Sequence, residues 1–326
     1  MDNKLCLSSR VRIARNIKGF PFCDKLSDSE ALGIIDEVRG ALGNEYSYIN
    51  FSHLPDNKKN AFVEQHLVSR EFAESDRRRA LFLSNDRSIS VMVGEEDHIR
   101  IQAFAEGLDL CNSLANAQRI EDILSEHIDF MFDDRYGYVT KCPTNLGTGI
   151  RASVLMFLPA ITSISGVQSL ASALSSRGIT VRGLFGEGTA ASASLYQISN
   201  SITLGVTEEE IIRSVEKTVK ELEDAEATEQ QKLIASNRDA YTDDCMRAIG
   251  LLHSSYTMSS SESVHLISKA MLGTSAGLVA GNMDCRKLYK ILLSVLPHTL
   301  TENADGELNT TNERDKYRSE YLRKIF

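Results

Sequence analysis

Long apolar runs are the first feature that this sequence lacks. No segment approaches the roughly 20 consecutive apolar residues that a membrane-spanning helix requires, although hydrophobic residues make up 42% of the chain. Residues 1–4 also lead directly into a motif, without the apolar core of a signal peptide. We therefore expect a folded protein of the cytoplasm.

A surplus of positive charge is also absent. The formal net charge is -9 and the isoelectric point is about 5.4. Nucleic acids and anionic lipids attract proteins that carry an excess of lysine and arginine, so neither is an expected partner. Any basic site in this chain must be local.

Paired cysteine motifs and common nucleotide-binding loops are missing as well. The six cysteines show no CxxC spacing, which excludes a zinc knuckle and a disulfide framework, and the histidines lack metal-ligand spacing. We expect five of the cysteines to be small buried apolar residues and single out Cys142. The absence of a Walker loop and of a kinase-type glycine loop argues against the common ATPase and protein-kinase folds.

Helix and strand signals divide the chain into two parts. A capping box at Ser27–Glu30 begins an amphipathic helix, and a second at Thr207–Glu210 begins a long one that reaches about residue 231. Alternating apolar residues predict strands at 89–93 and 178–185, the first ending directly before Glu95 and Glu96. From residue 241 onward the periodicity is helical, which predicts a domain boundary near residue 235.

Three short segments combine arginines with acidic or reactive side chains: residues 8–15, 93–100 and 142–151. If the first is extended, Arg10 and Arg12 lie on one face. An enzyme that catalyses phosphoryl transfer mainly has to position its reactants and neutralise negative charge. The arginines therefore predict a phosphate-binding clamp.

Four motifs, at residues 8–12, 95–98, 142–145 and 182–188, resemble those of the ATP:guanidino phosphotransferases and occur in the same order. The resemblance covers nearly the whole chain. Within that family the chain is similar to the bacterial enzymes that phosphorylate arginine in proteins. The helical N-terminal domain of creatine and arginine kinases has no counterpart here, and an aromatic residue, Phe185, stands where those enzymes have a phosphate-binding arginine.

The resemblance implies an α+β fold with an antiparallel sheet flanked by helices and a C-terminal all-helical domain. It places the catalytic domain at residues 1–235 and a dimerisation and phosphoarginine-binding domain at 236–326. It also implies Mg²⁺ and ATP as cofactors. The implied ATP-binding residues are Ser8, Ser9, Arg10, Val11, Arg12, His66, Arg100, Arg151, Ala152, Ser153, Val154, Leu155, Arg182, Gly183, Leu184, Phe185, Gly186 and Glu187.

Two residues are predicted to act on the acceptor guanidinium. Glu96 is the expected catalytic base, because a guanidinium attacks phosphorus only when a base orients it and accepts a proton. Cys142 is expected to pair with the guanidinium as a thiolate, since positive neighbours stabilise thiolates. A second glutamate of the family is replaced by Ala190, so we expect reduced or altered activity. Glu187 and a residue supplied by the substrate are the two candidates that could compensate.

The C-terminal motif at residues 312–319 resembles an allosteric phosphoarginine site. Arg314 and Arg318, one helical turn apart, are expected to grip a phosphate while Asp315 engages a guanidinium. Ser319 stands where the family usually has alanine.

The expected activity is transfer of the γ-phosphoryl group of ATP to arginine side chains in proteins, which marks them for a Clp-type protease. The implied partners are protein substrates, a zinc-finger activator protein, a Clp-type ATPase and a second copy of the chain. Two alternatives stay open. The chain could phosphorylate a free guanidino compound, or Ala190 could make it a catalytically weakened reader of phosphoarginine.

Overall fold

The structure is a computed structural model, and it describes residues 5–184, 193–279, 283–304, 306 and 308–326, without the side chains of residues 165 and 167. Ten strands are assigned within these ranges: β1 (Cys6–Arg15), β2 (Ser47–Asn50), β3 (Ala80–Leu83), β4 (Ile89–Val93), β5 (Ile99–Glu106), β6 (Phe132–Asp133), β7 (Gly137–Tyr138), β8 (Ile150–Phe157), β9 (Ile179–Gly183) and β10 (Leu195–Asn200).

The same ranges contain eleven assigned α-helices. They are α1 (Asp28–Leu42), α2 (Asp56–Glu64), α3 (Arg70–Glu74), α4 (Leu110–Ser125), α5 (Pro159–Ser175), α6 (Glu208–Ser236), α7 (Arg238–Ser254), α8 (Ser260–Ser275), α9 (Cys285–Ser294), α10 (Pro297–Asn303) and α11 (Thr311–Ile325). None of these described helices is long and apolar enough to cross a membrane.

Eight strands form one sheet in the order β2-β3-β4-β5-β1-β8-β10-β9, and β6 and β7 form a separate hairpin. Within this order, the neighbouring pairs β2-β3, β3-β4, β4-β5 and β5-β1 are antiparallel. The antiparallel sheet, its flanking helices and the helical C-terminal part confirm the predicted fold class. The predicted domain boundary near residue 235 falls beside the junction of α6 and α7, and the division itself stays a prediction.

Both predicted capping boxes are present. The Ser27 hydroxyl accepts a hydrogen bond from the Glu30 amide while the Glu30 carboxylate accepts one from the Ser27 amide. Thr207 and Glu210 make the same reciprocal pair before α6. These bonds satisfy amide donors that would otherwise have no partner at a helix start, which explains why both helices begin where the sequence predicts.

The chain divides into two compact units. The N-terminal unit comprises Ser8–Val154 and Ser199–Lys217, and one of its apolar clusters contains Phe51, Phe72 and Met92. The C-terminal unit comprises Leu155–Ile198, Thr218–Phe326 and the described residues 5–7. Its core packs residues of α7, α8, α9 and α11 with the end of β8.

Three expectations about individual residues are wrong. Arg15 is fully buried, pairs with Glu121 at 2.6 Å and stacks on the Tyr138 ring, so it supports the fold of the N-terminal unit instead of a phosphate. Arg79 belongs to the run of three arginines at residues 77–79, which in the sequence predicts a solvated face, but it is buried and donates to two carbonyl groups. Cys111 is exposed, whereas the other four cysteines predicted to be buried are buried.

Candidate active site

Strand β1 places its arginines on one face of the sheet. Because side chains alternate along a strand, Arg10 and Arg12 share a face with Ser8, and all three are partly exposed. Ser9 and Val11 are fully buried on the other face, where the Ser9 hydroxyl donates to the Gly107 carbonyl. The alternation confirms that Arg10 and Arg12 lie side by side.

Two neighbouring strands add further guanidinium groups to the N-terminal unit. The register of β1 with β5 sets Arg12 opposite Gln102. Arg100 lies two residues before Gln102 and therefore on the same face. On β8, the Arg151 guanidinium donates twice to the Ser199 hydroxyl, at 3.0 and 3.2 Å.

Charge and burial both act on Arg12. Burial lowers the pKa of its guanidinium well below the ordinary value. The charges of Arg10, Arg100 and Arg151 lower that pKa further, and the charge of Glu95 opposes the shift. The Arg12 Nε atom is buried and has no hydrogen-bond partner among the described residues. A buried donor without a partner costs about 1–3 kcal/mol. An anion with several acceptor oxygens would satisfy the donor and offset the repulsion between the four arginines.

His66 lies at the turn after α2, in the left-handed backbone region with φ of 60°. Such a conformation costs a residue other than glycine on the order of 1 kcal/mol. Burial and the charge of Arg10 lower the pKa of His66 to about 3, so the imidazole is neutral at physiological pH. Its Nε2 atom is buried without a partner among the described residues. A neutral ring beside Arg10 suits an uncharged aromatic group such as a nucleobase.

The hairpin loop between β4 and β5 carries the acidic residues. The Glu95 carboxylate is almost fully buried and accepts a hydrogen bond from Arg100 at 2.6 Å. Glu96 is more exposed and lies 3.6 Å from the same guanidinium. Burial raises the pKa of Glu96, with Asp97 and Glu95 adding to the rise and Arg100 and Lys141 opposing it. A half-exposed carboxylate with a raised pKa is suited to accept a proton.

The loop that carries Cys142 is joined to the Glu96 loop through Asp97. One Asp97 oxygen accepts hydrogen bonds from the Lys141 amide and from the Asn16 side chain, both at 2.7 Å. Glu96 and Cys142 each lie one residue from this junction. The Cys142 sulfur is partly exposed and lies 2.9 Å from the Thr144 hydroxyl. A hydrogen bond therefore joins the two loops that carry the predicted acid and the predicted thiol.

The other predicted ATP-binding residues have different surroundings. Ala152 and Val154 are fully buried in β8, whereas the Ser153 hydroxyl donates to the Arg10 carbonyl. Four residues belong to the C-terminal unit: Leu155 in its core, Arg182 exposed on β9, Gly183 at the end of β9, and Leu184 packed against the core. Phe185, Gly186, Glu187 and Ala190 lie outside the described residues.

The C-terminal phosphoarginine motif lines a cavity of about 420 Å³ in its own unit. The cavity lies between the start of α8 and α11, where Arg314 is partly exposed. Arg318 is fully buried instead. Its guanidinium donates to the Val295 and Met258 carbonyls and to Asp315. Of the three predicted residues, Arg314 and Asp315 are therefore partly exposed, and Asp315 already pairs with Arg318.

Sequence reasoning missed several polar residues that support the site. Ser69 donates to Glu95, Gln102 contacts Arg10, and Ser199 accepts from Arg151. The one signal available was a polar residue inside an otherwise apolar strand pattern, as at Ser90 and Gln102. That signal indicates a buried hydrogen bond but does not identify its partner.

The sheet carries four neighbouring arginines and one acidic hairpin loop, which suits an enzyme that transfers phosphoryl groups. The family model described as the C-terminal catalytic domain of ATP:guanido phosphotransferases matches residues 34–229. The chain belongs to that family. Within it, the chain belongs with the protein-arginine kinases, because the protein-arginine kinase McsB C-terminal domain model matches residues 238–326.

Individual relatives agree with both matches. The protein-arginine kinase of Clostridium acetobutylicum is 39% identical over 333 residues, which cover 99% of this chain and 96% of that protein. The protein-arginine kinase of Caldanaerobacter subterraneus is 36% identical and covers 98% of this chain and 96% of its own.

Solved structures support the fold of the catalytic part. The duplicated taurocyamine kinase of Schistosoma mansoni has a TM-score of 0.62 at 28% identity, over 68% of this chain and 33% of that chain. A lombricine kinase has the same TM-score at 26% identity, over 72% of this chain and 69% of its own.

Proposed function

We propose that the chain transfers the γ-phosphoryl group of ATP to arginine side chains of proteins. The observation that carries the proposal is the cluster of Arg10, Arg12, Arg100 and Arg151, in which the Arg12 Nε atom has no partner among the described residues. Glu96 lies 3.6 Å from Arg100 in the same cluster. The relatives that match this chain over nearly its whole length are protein-arginine kinases.

In this proposal, Arg10, Arg12, Arg100 and Arg151 hold the phosphates and His66 lies beside the adenine. The buried donors and repelling charges fit a nucleotide anion. Among the described residues, no group of three or more His, Cys, Asp or Glu side chains could hold a metal ion. Mg²⁺ commonly binds through one or two carboxylates and the substrate phosphates, so we propose that it enters with ATP, where it neutralises developing charge.

Glu96 and Cys142 act on the acceptor. A nitrogen of the acceptor guanidinium forms the new N–P bond, the bond between the γ-phosphorus and the ADP oxygen breaks, and the proton from that nitrogen passes to Glu96. Because the pKa of Glu96 is raised, its carboxylate is a stronger base than an exposed glutamate. Cys142 faces the guanidinium and helps to orient it.

The direct test is incubation with Mg·ATP and an unfolded protein substrate, followed by mass spectrometry for acid-labile phosphoarginine. Phosphoarginine in the wild-type reaction and its loss in Glu96→Gln are expected. Free arginine, offered in parallel, distinguishes the alternative of a free guanidino acceptor. Absence of any phosphorylated product from the wild-type chain would refute the proposal.

A second candidate function is recognition of phosphoarginine in the C-terminal unit. The cavity of about 420 Å³ between α8 and α11 supports it, because Arg314 and three serines of the α8 start, Ser259 to Ser261, line the same space. Binding of free phosphoarginine, lost in Arg314→Ala with ATP binding intact, tests this function. Binding without any kinase activity would favour a regulatory reader.

The remaining predicted partners and the compartment extend the same proposal. They are exposed arginines of protein substrates, a zinc-finger activator protein, a Clp-type ATPase that degrades marked proteins, and a second copy of the chain. A cytoplasmic location is part of the proposal. Co-purification from cells with and without Mg·ATP, followed by mass spectrometry, tests these partners.

A further inference from the structure

The turn formed by residues His66, Leu67, Val68 and Ser69, here the 66–69 turn, is tied firmly to the sheet of the N-terminal unit. The Leu67 carbonyl accepts a hydrogen bond from the Ser90 hydroxyl at 2.6 Å and one from the Gln102 amide at 2.8 Å. Both donors are buried. The turn is therefore held over β4 and β5 by two bonds that water does not weaken.

The first connection from this turn to an arginine runs through Gln102. While its amide nitrogen donates to Leu67, its Oε1 atom accepts a hydrogen bond from Arg10 at 3.5 Å. A glutamine side chain can donate and accept at once, so one residue links the turn to a phosphate-binding arginine.

The second connection runs through Ser69. Its hydroxyl donates to Glu95 Oε1 at 2.6 Å and accepts the Phe72 amide at 3.1 Å, as the N-cap of α3. A hydroxyl has a single proton. Because the capping bond uses an oxygen lone pair, the proton stays directed at Glu95.

Glu95 passes this orientation to Arg100. Its Oε1 atom accepts from Arg100 at 2.6 Å, and its Oε2 atom accepts from the Glu96 amide at 2.7 Å. Arg100 also faces the Glu96 carboxylate, at 3.6 Å. The Arg100 guanidinium therefore has two acidic neighbours, Glu95 and Glu96. The Ser69 bond helps to fix Glu95, which does not take part in the proposed chemistry.

We propose that Ser69 is a positioning residue for nucleotide binding: its hydroxyl orients the buried Glu95 carboxylate, which holds the Arg100 guanidinium in place for the phosphates. The inference rests on the proposed function. It differs from a purely structural role, in which Ser69 would only cap α3.

Three variants of Ser69 separate the two roles. Ser69→Ala removes both the cap and the donor. Ser69→Asp keeps a good helix cap but cannot donate, and places a second carboxylate against Glu95. Ser69→Thr keeps both functions. Ser27→Ala is the matched control, because Ser27 caps α1 in the same unit and its hydroxyl bonds to Glu30.

The readouts are the dissociation constant for Mg·ATP, by calorimetry, and the thermal unfolding midpoint without nucleotide. We expect Ser69→Ala and Ser69→Asp to raise the dissociation constant at least fivefold, and Ser69→Thr to stay within twofold of wild type. Ser27→Ala should lower the unfolding midpoint while leaving the dissociation constant within twofold.

Two results would overturn the inference: an unchanged dissociation constant in Ser69→Asp, or an equal increase in Ser27→Ala. If Ser69→Ala does not fold, Ser69→Asp decides alone, since its cap is intact. A wild-type chain that does not bind Mg·ATP would refute the proposed function, and this inference with it. Normal wild-type binding together with either of the two results above would refute the inference alone.

Discussion

Arg12 in the N-terminal unit and Arg318 in the C-terminal unit are both arginines with buried guanidinium atoms, yet their surroundings are opposite. Arg318 donates to two carbonyl groups and pairs with Asp315 at 2.5 Å. The charges of three arginines and of one acid, Glu95, act on Arg12, and its buried Nε has no partner among the described residues. The charge of Arg318 is therefore paired within the fold, whereas the charge of Arg12 is available to an anionic ligand.

The two units also differ in the surroundings of their acidic residues. In the C-terminal unit, the buried Glu226 accepts hydrogen bonds from two amides at the start of α5, those of Ala160 and Ile161. In the N-terminal unit, Glu96 stays partly exposed beside Arg100. Ionisable groups thus bond to groups of the fold in one unit, whereas in the other they lie beside the proposed site of binding and chemistry.

The largest expected effect is on the chemistry of the N-terminal unit. Glu96→Gln keeps the size of the side chain but removes the base, so phosphorylation of a protein substrate should fall about 10²–10⁴-fold. The rate is measured as phosphoarginine formed per minute. Mg·ATP affinity should change less than threefold, and a rate near that of wild type would show that Glu96 is not the base.

Arg318→Met should instead destabilise the C-terminal unit. It removes one partner of a buried ion pair and leaves the Val295 and Met258 carbonyls without that donor, at a cost of about 3 kcal/mol. Urea denaturation measures the loss. Arg314→Met, on the more exposed side of α11, is the matched control and should cost less than about 1 kcal/mol. Equal losses would contradict the distinction between the two arginines.

The pH dependence of stability tests Glu226. Burial raises the pKa of Glu226 from its ordinary 4.5 to about 7. The folded state therefore binds the proton more tightly than the unfolded state, and this contribution to stability is lost as pH rises from about 4.5 to about 7. Glu226→Gln cannot titrate, so its unfolding midpoint should fall less than that of wild type across this window. Parallel curves would show that Glu226 does not control the slope.

The smallest effect is on the pH profile of the reaction. Glu96 must be ionised to accept a proton, so the rate should fall as pH drops through its raised pKa. Lys141 lowers that pKa, and Lys141→Gln should therefore move the acid limb of the profile to higher pH. A shift to lower pH would contradict the assignment of this limb to Glu96.

Local signals predicted a large part of the fold. Capping residues located the starts of α1 and α6, and alternation located β4 and the acidic loop after it. These features depend on neighbours within a few positions in the sequence. The resemblance to the guanidino phosphotransferases supplied the rest of the predicted site.

Contacts between distant residues were not predictable in the same way. Ser69 meets Glu95 across 26 positions, and Gln102 meets Leu67 across 35. Arg15 and Arg79 look like surface arginines in the sequence, but the folded N-terminal unit supplies carbonyl acceptors that allow both to be buried. Burial of a charge depends on partners that only the tertiary structure brings near.

The most direct test of the account measures Arg12→Met in two ways: Mg·ATP affinity by calorimetry and the unfolding midpoint of the nucleotide-free chain. Mg·ATP affinity should fall at least tenfold, because the variant removes a proposed phosphate-binding group. The midpoint should stay equal or rise, because the variant also removes an unsatisfied donor and a repelling charge. Unchanged affinity, or a midpoint that falls as far as in Arg318→Met, would show that the Arg12 charge serves the fold and not a nucleotide.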